Sequence, residues 1–391
     1  MTRGRNGSAA PHLDLDAVAL DPATRIVVCC GSGGVGKTTT AAAIGLRAAE
    51  AGRTVVVLTI DPARRLAQSM GLTELDNTPR EVSGIDGLPE GHLFAMMLDM
   101  KRTFDEVVAA HSTPERAEAV FANPFYQALS TSFAGTQEYM AMEKLSQLAE
   151  QSEWDLIVVD TPPSRSALDF LDAPQRLGRF LDGRLIKLLA APAKAGGKAY
   201  LRVVTASFSL MTKAITKILG NDLLRDVSAF VSSLEAMFGG FRERAEHTYE
   251  LLKAPGTAFL VVASPEPDAL REASYFVERL AGENMPLAGL VINRVHSAAT
   301  ASNGDALPAR RAEAAADALA GKPVTEQSEL AEAALRVQVE IELSAQNDLR
   351  MAKRFAAAHP DVAIRLVPAL PTDVHDLVGL QAVGDLLALP Q

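Results

Sequence analysis

Short apolar runs alternate with amphipathic stretches along most of this chain. The runs Arg25–Cys30, Thr54–Ile60, Leu93–Leu98, Asp155–Asp160, Ala258–Ala263, Leu287–Asn293 and Ala363–Pro368 predict strands. Several are apolar without a break, as strands covered on both faces are. Helical periodicity over Lys37–Ala51, Ala63–Met70, Asp268–Ala281 and Val374–Leu387 predicts the helices between them. Such alternation predicts an α/β fold, a mostly parallel sheet flanked by helices.

Three segments depart from the alternation. Residues 1–22 are polar, Pro-containing and aperiodic, and predict a mobile tail. Residues 175–255 show no strand pattern and predict an α-helical insert between two parts of one sheet domain, 23–174 and 256–391. Within the insert, Phe208, Met211, Ile215, Ile218 and Leu219 share one helical face, and Phe230, Leu234, Met237, Phe238 and Phe241 share another. Residues 298–332 are rich in Ala, Ser and charge and predict a loop followed by an exposed helix.

Composition narrows the class. A chain of 391 residues buries roughly three quarters of its unfolded surface without cross-links. The balance of 38 basic and 48 acidic residues, net −10, argues against non-specific nucleic-acid binding. The two cysteines, Cys29 and Cys30, are adjacent and fall on a predicted buried strand. They support no disulfide framework, and free cysteines of that kind pack as small hydrophobes. The N-terminus lacks the apolar run of a signal peptide, and no apolar stretch reaches 18 residues. A cytoplasmic protein is expected. Between residues 176 and 217, nine Lys and Arg face the single acid Asp182, so the insert could touch an anionic membrane surface or an acidic partner.

The chemistry is carried by Gly31-Ser32-Gly33-Gly34-Val35-Gly36-Lys37-Thr38, which follows a predicted strand and opens a predicted helix. This is the P-loop pattern in its required context. Glycines let backbone N–H groups converge on phosphate oxygens, and the helix N-terminus adds positive potential. Lys37 is placed to reach the β- and γ-phosphates of ATP, and the Thr38 hydroxyl to ligate Mg²⁺. Two strand-end acids complete the set. Asp160 is the natural Mg²⁺ partner, and Asp61 is available to orient or deprotonate the attacking water.

Gly33-Gly34-Val35-Gly36-Lys37-Thr38-Thr39 resembles the deviant P-loop of the MinD, ParA, nitrogenase iron protein and ArsA group. Thr59-Ile60-Asp61-Pro62-Ala63 and Asp160-Thr161-Pro162-Pro163 resemble the two switch motifs of the ArsA branch, which contains arsenite-pump ATPases and the targeting factor for tail-anchored membrane proteins. Gly135-Thr136-Gln137-Glu138-Tyr139-Met140, and Pro265-Glu266 after a strand, match more loosely. The resemblance implies a P-loop NTPase fold, ATP hydrolysis with Mg²⁺, and phosphate binding by residues 33–39. It also implies adenine binding near Asn293, Pro368 and Pro371. It further implies a dimer whose switch residues Asp61, Pro62, Asp160, Thr161 and Pro162 re-pose a cargo groove at Phe208, Met211 and Ile215.

The chain departs from that pattern in two ways. The family's signature lysine falls at Ser32, so the dimer partner is expected to be a paralogous ATPase subunit carrying the lysine, or a second copy with slow turnover. The zinc-binding cysteine pair of the targeting factors and the separated cysteines of the arsenite pumps are both missing. Carriage of a hydrophobic membrane-protein segment is the leading expectation. One alternative is an ATPase energising anion or metalloid export, weakened by the lack of thiolates for soft cargo. A second is a ParA- or MinD-like positioning switch, which the acidic charge and the lack of a basic C-terminal amphipathic helix disfavour.

Overall fold

A computed structural model describes residues 11–60, 65–85, 91–110, 112–124, 126–127, 130, 136–162, 243–297, 307–320 and 325–389. The expected switch residues Asp61 and Pro62 lie outside these, as do Phe208, Met211 and Ile215 and nearly all of the expected insert.

The strands are β1 (Ile26–Cys30), β2 (Thr54–Thr59), β3 (Arg80–Glu81), β4 (His92–Met97), β5 (Leu156–Asp160), β6 (Thr257–Ala263), β7 (Leu287–Val295) and β8 (Ile364–Pro368). They form one sheet in the order β3-β4-β2-β5-β1-β6-β7-β8. Every pairing is parallel except that of β3 with β4. Seven of the strands follow the apolar runs of the sequence. The eighth, β3, is two residues long, too short for any alternation to show.

The central strand β1 is buried at every position, with β5 and β6 on either side. Its thiols are part of that core. Burial drives the Cys29 thiol well above its ordinary pKa, and pushes Cys30 up to about 12. Neither is a nucleophile or a metal ligand in that state. Helix α1 is Leu15–Ala19, and helix α2, Lys37–Glu50, lies against β2. Gly45 permits that approach: a Cβ there would sit 2.6 Å from Val57 Cγ2.

Residues 11–22 are not a loose tail. Asp14 caps α1 by accepting from the Ala17 amide, and Leu13, Leu15 and Ala19 are buried. His12 bridges to Ile364 at the start of β8. Arg53, itself buried, donates to the carbonyls of Ala19, Thr24 and Asp155. The six apolar residues Leu13, Leu15, Ala17, Val18, Ala19 and Leu20, spaced among polar ones, are too few to show a period.

Further helices are α3 (Arg65–Ser69), α4 (Met100–Ala110), α5 (Pro114–Phe121), α6 (Thr136–Glu150), α7 (Pro267–Gly282), α8 (Ala309–Ala320), α9 (Glu326–Ala358) and α10 (Leu377–Ala388). Residues 243–253 are also helical, and Arg244 there pairs with buried Glu143 of α6 at 2.9 Å. Within the expected loop and exposed helix over 298–332, the described residues form α8 and the start of a 33-residue α9 that runs on to Ala358. A capping box between Thr325 and Ser328 starts α9. Its second half buries Ala345, Ala352 and Phe355, while Leu330 and Val337 in its first half are exposed. Among the described residues, no helix is long and apolar enough to cross a membrane.

Candidate functional site

The turn from β1 into α2 is built by glycines at positions where other residues would collide. Gly31 has φ +152°, and a Cβ on it would fall 2.1 Å from the Val262 carbonyl oxygen of β6. Gly36, the residue before α2, has φ +96°, and its Cβ would fall 2.2 Å from Asn293 Nδ2 of β7. The loop is thus pressed between the ends of β6 and β7. The first turn of α2 contributes amides without intrahelical acceptors. Lys37 is buried, and its ammonium folds back to donate to the Ser32 carbonyl at 2.8 Å.

Beneath the loop, Asp160 ends β5 and is fully buried. Its Oδ2 accepts from the Thr38 hydroxyl at 2.7 Å and from the Thr59 hydroxyl at 2.9 Å. One carboxylate therefore joins α2, β2 and β5. Two hydroxyl donors offset the cost of burying it. Thr161 donates to the Cys29 carbonyl through both amide and hydroxyl, which fixes the exit of β5 beside β1. The Ile60 amide donates to the Asp160 carbonyl, so the ends of β2 and β5 are held side by side.

Above the loop, Asn293 Nδ2 donates to the Val35 carbonyl at 2.9 Å, and Arg294 Nη1 to the Gly34 carbonyl at 3.2 Å. Both braces come from a bulge in β7. Ile292 pairs with Leu366 and Val295 with Pro368, so β7 carries one residue more than β8 between those pairs. Arg294 takes φ +61° there.

A cavity of about 720 Å³ opens over this arrangement, within the range of small-molecule sites. Lys37, Thr38, Thr39, Asn293, Pro368 and His375 are among its walls. Pro371 lies in the same connection, between cavity residues Leu370 and Thr372. On the other side of the loop is a second cavity of about 740 Å³, bordered by Ser32, Gly33, Glu266, Glu272, Arg294 and His296.

Thr38 and Asp160, expected together from the sequence, do meet, and Lys37, Thr38, Asn293 and Pro368 line one cavity. Thr59, Arg294 and His375 were not singled out by sequence reasoning. Thr59 could have been found: it sits two residues before Asp61, on a strand whose neighbour ends in Asp160. Arg294 could not, because the bulge that turns it depends on pairing with β8, some seventy residues downstream.

The donor set fits a nucleotide with its metal. The Thr38 hydroxyl and the Asp160 carboxylate are hard oxygen ligands of the kind Mg²⁺ selects. Gly31 and Gly36 let the loop close against Val262 and Asn293, and a Cβ at Gly34 would meet nothing within 4 Å.

Comparison with known proteins agrees. The chain is 25% identical to ATPase GET3 of Podospora anserina over 287 residues, 72% of this chain and 76% of that one. It is 26% identical to an ATPase ASNA1 homolog of Cryptosporidium parvum over 265 residues, 68% and 63% of the two chains. Over 155 residues it is 30% identical to ATPase GET3 of Malassezia globosa, 40% and 44% of the two chains. It thus spans under two thirds of the length of the Cryptosporidium and Malassezia proteins. The family model for anion-transporting ATPases matches residues 24–319, which take in the phosphate loop, both strand-end acids and the Asn293–Arg294 bulge, and the chain belongs to that ArsA ATPase family.

Proposed function

We propose that this chain is a Mg²⁺-dependent ATPase that works as a nucleotide-switched dimer and carries an apolar membrane-protein segment. The observation that supports the catalytic part is the hydrogen bond between Thr38 and buried Asp160 beneath a glycine cradle closed by Lys37. Residues 33–39 hold the phosphates, with Lys37 against the β- and γ-groups. Thr38 and Asp160 would hold Mg²⁺. When bound, the metal neutralises charge on the phosphates. Asp61 orients the attacking water and takes its proton. Asn293, Pro368 and Pro371 frame the adenine.

Switching follows from the connections at the sheet edge. The segments after Ile60 and after Asp160 leave from adjacent strands, so contact with the γ-phosphate can order both at once. Residues 61–62 and 160–162 then bias the pose of the insert, where Phe208, Met211 and Ile215 form the cargo face. A paralogous subunit is the preferred partner, because Ser32 supplies no cation to a neighbouring site. The basic stretch 176–217 would favour peripheral contact with an anionic membrane in an otherwise cytoplasmic protein.

Two variants test the chemistry. Lys37→Ala should abolish ATP binding, measured by calorimetry. Asp61→Asn should bind ATP and fail to hydrolyse it, since an amide can position water but not accept its proton. Wild-type turnover by Asp61→Asn would remove Asp61 from the mechanism. Hydrogen exchange across residues 176–250, with ADP and with a non-hydrolysable ATP analogue, tests the switch. Equal protection in both states would argue against a nucleotide-gated cargo face.

A further inference from the structure

Arg294 is a non-glycine residue in the left-handed region, φ +61°, at the bulge of β7. Such a conformation is strained, and outliers of this kind cluster at functional sites. Bulges re-aim side chains in the same places. Here the bulge turns two consecutive side chains onto consecutive carbonyls of the phosphate loop. Asn293 reaches Val35 and Arg294 reaches Gly34. Gly31 and Gly36 also wedge the turn between β6 and β7. A neutral residue, glycine or asparagine above all, would take the left-handed position at lower cost. An arginine there calls for a use of its charge.

Its surroundings supply one. Arg294 is the charged side chain common to both cavities that flank the loop. A guanidinium carries five N–H donors with a fixed positive charge. The Gly34 carbonyl takes one of them. Arg294 lines one cavity together with Gly36, Lys37 and Thr38. Among the described residues lining that cavity, the other charged or titratable bases are Lys37 and His375. Lys37 reaches the loop at the Ser32 carbonyl and Arg294 at the Gly34 carbonyl.

We propose that Arg294 is a second phosphate-binding cation, supplied by the same chain as the P-loop, that grips the polyphosphate of a bound nucleotide opposite Lys37. The inference rests on the ATP reading of the cavity. Its ligand class is a nucleoside di- or triphosphate, with little contribution to binding of a nucleoside monophosphate.

Arg294→Asn is the informative variant, because asparagine accepts the left-handed backbone and removes the charge. Arg294→Lys retains a charge at the same backbone cost. ATP, ADP and AMP binding to the full chain would be measured by calorimetry for wild type and both variants. Arg294→Asn should bind ATP about ten- to hundredfold more weakly, the range for a lost hydrogen bond to a charged group, while AMP affinity changes by less than about twofold. Arg294→Lys should recover most of the ATP affinity, and the thermal midpoint of Arg294→Asn should equal or exceed that of wild type. Equal weakening for ATP and AMP would show a loop brace only and overturn the proposal. Unchanged ATP affinity in Arg294→Asn, with wild type binding ATP and Lys37→Ala not, would overturn it while leaving the nucleotide site intact. A wild-type protein that binds no ATP would overturn both.

Discussion

The Thr38 hydroxyl donates to Asp160 Oδ2 across 2.7 Å, joining residues 122 positions apart in sequence. The contact ties the first turn of the phosphate-binding helix to the end of the adjacent strand, and Thr59 binds the same oxygen from the next strand along. The carboxylate is thus held by the fold at the junction of α2, β2 and β5.

Asp160→Asn should separate its two roles. The amide is nearly isosteric and keeps an oxygen that can accept from Thr38, so the fold should survive. An acceptor that acts on Mg²⁺ through water is worth about 10- to 100-fold in metal affinity or activity. We expect the Mg²⁺ concentration for half-maximal ATPase to rise by about that factor. Titration of activity against Mg²⁺ checks it, and an unchanged requirement would reduce Asp160 to a structural acceptor.

The loop geometry makes a second expectation. Gly36→Ala introduces a Cβ 2.2 Å from Asn293 Nδ2 at a residue with φ +96°. The strained backbone alone costs about 1–3 kcal/mol. The displaced amide also loses its bond to Val35. Removing the obstacle should relieve part of this, so Gly36→Ala with Asn293→Ala should be less destabilising than the two variants added, by at least about 0.5 kcal/mol. Urea unfolding of the three variants measures the coupling. Strict additivity would mean that the two positions do not meet.

What could be read in the sequence was whatever local spacing encodes. The phosphate loop has fixed spacing, and its flanking strand and helix are apolar in the expected periods, so Lys37, Thr38 and the fold class were plain. Asp160 was legible because it ends an unbroken apolar run. The Asn293–Arg294 bulge was not, since it exists only in the pairing of β7 with Leu366 and Pro368. Residues 11–22 looked like a tail because their anchors, Ile364 and Arg53, are distant or polar. Most of α9, beyond residue 332, went unread because its apolar positions are partly exposed, and alanines and ion pairs such as Arg336–Glu332 sustain the helix.

Acid should release the N-terminal helix first. Arg47 of α2 holds Asp16 of α1 through two hydrogen bonds, one of them 2.7 Å. That contact lowers the Asp16 carboxyl pKa below its ordinary value against the opposing effect of burial, and raises that of Arg47. A pKa depressed in the folded state means that the unfolded chain binds the proton more readily. The contribution is therefore complete above the unfolded carboxylate value, about 3.9, and fades as pH falls through the lower folded value. Asp16→Asn should cost about 1–2 kcal/mol at pH 7, as a hydrogen bond to a charged group does. Its difference from wild type should shrink below about pH 4. Urea unfolding at pH 7, 5 and 3 tests both statements, and a pH-independent difference would assign the effect to packing.

The remaining expectation concerns Ser32. Its carbonyl anchors Lys37, while its side-chain oxygen is buried with no hydrogen-bond partner among the described residues. An unpaired buried hydroxyl costs about 1–3 kcal/mol. Ser32→Ala should thus leave stability unchanged or raise it. Ser32→Lys behaves differently. An ammonium cannot occupy that buried position, so the longer side chain must turn outward, into the cavity bordered by Glu266 and Glu272. There it would stand ready for the phosphates of an apposed subunit. Cationic fingers of this kind are worth about 10³–10⁵ in rate, so even a poorly aimed lysine should accelerate hydrolysis if a second P-loop faces this one. ATPase activity is then compared for the chain alone, for Ser32→Lys, and for the chain mixed with a paralogue that carries the lysine. Acceleration in both the second and third cases supports a site shared between subunits. Robust activity in the first case that neither change increases would refute it and leave a self-sufficient site, with Arg294 as the cation to examine next.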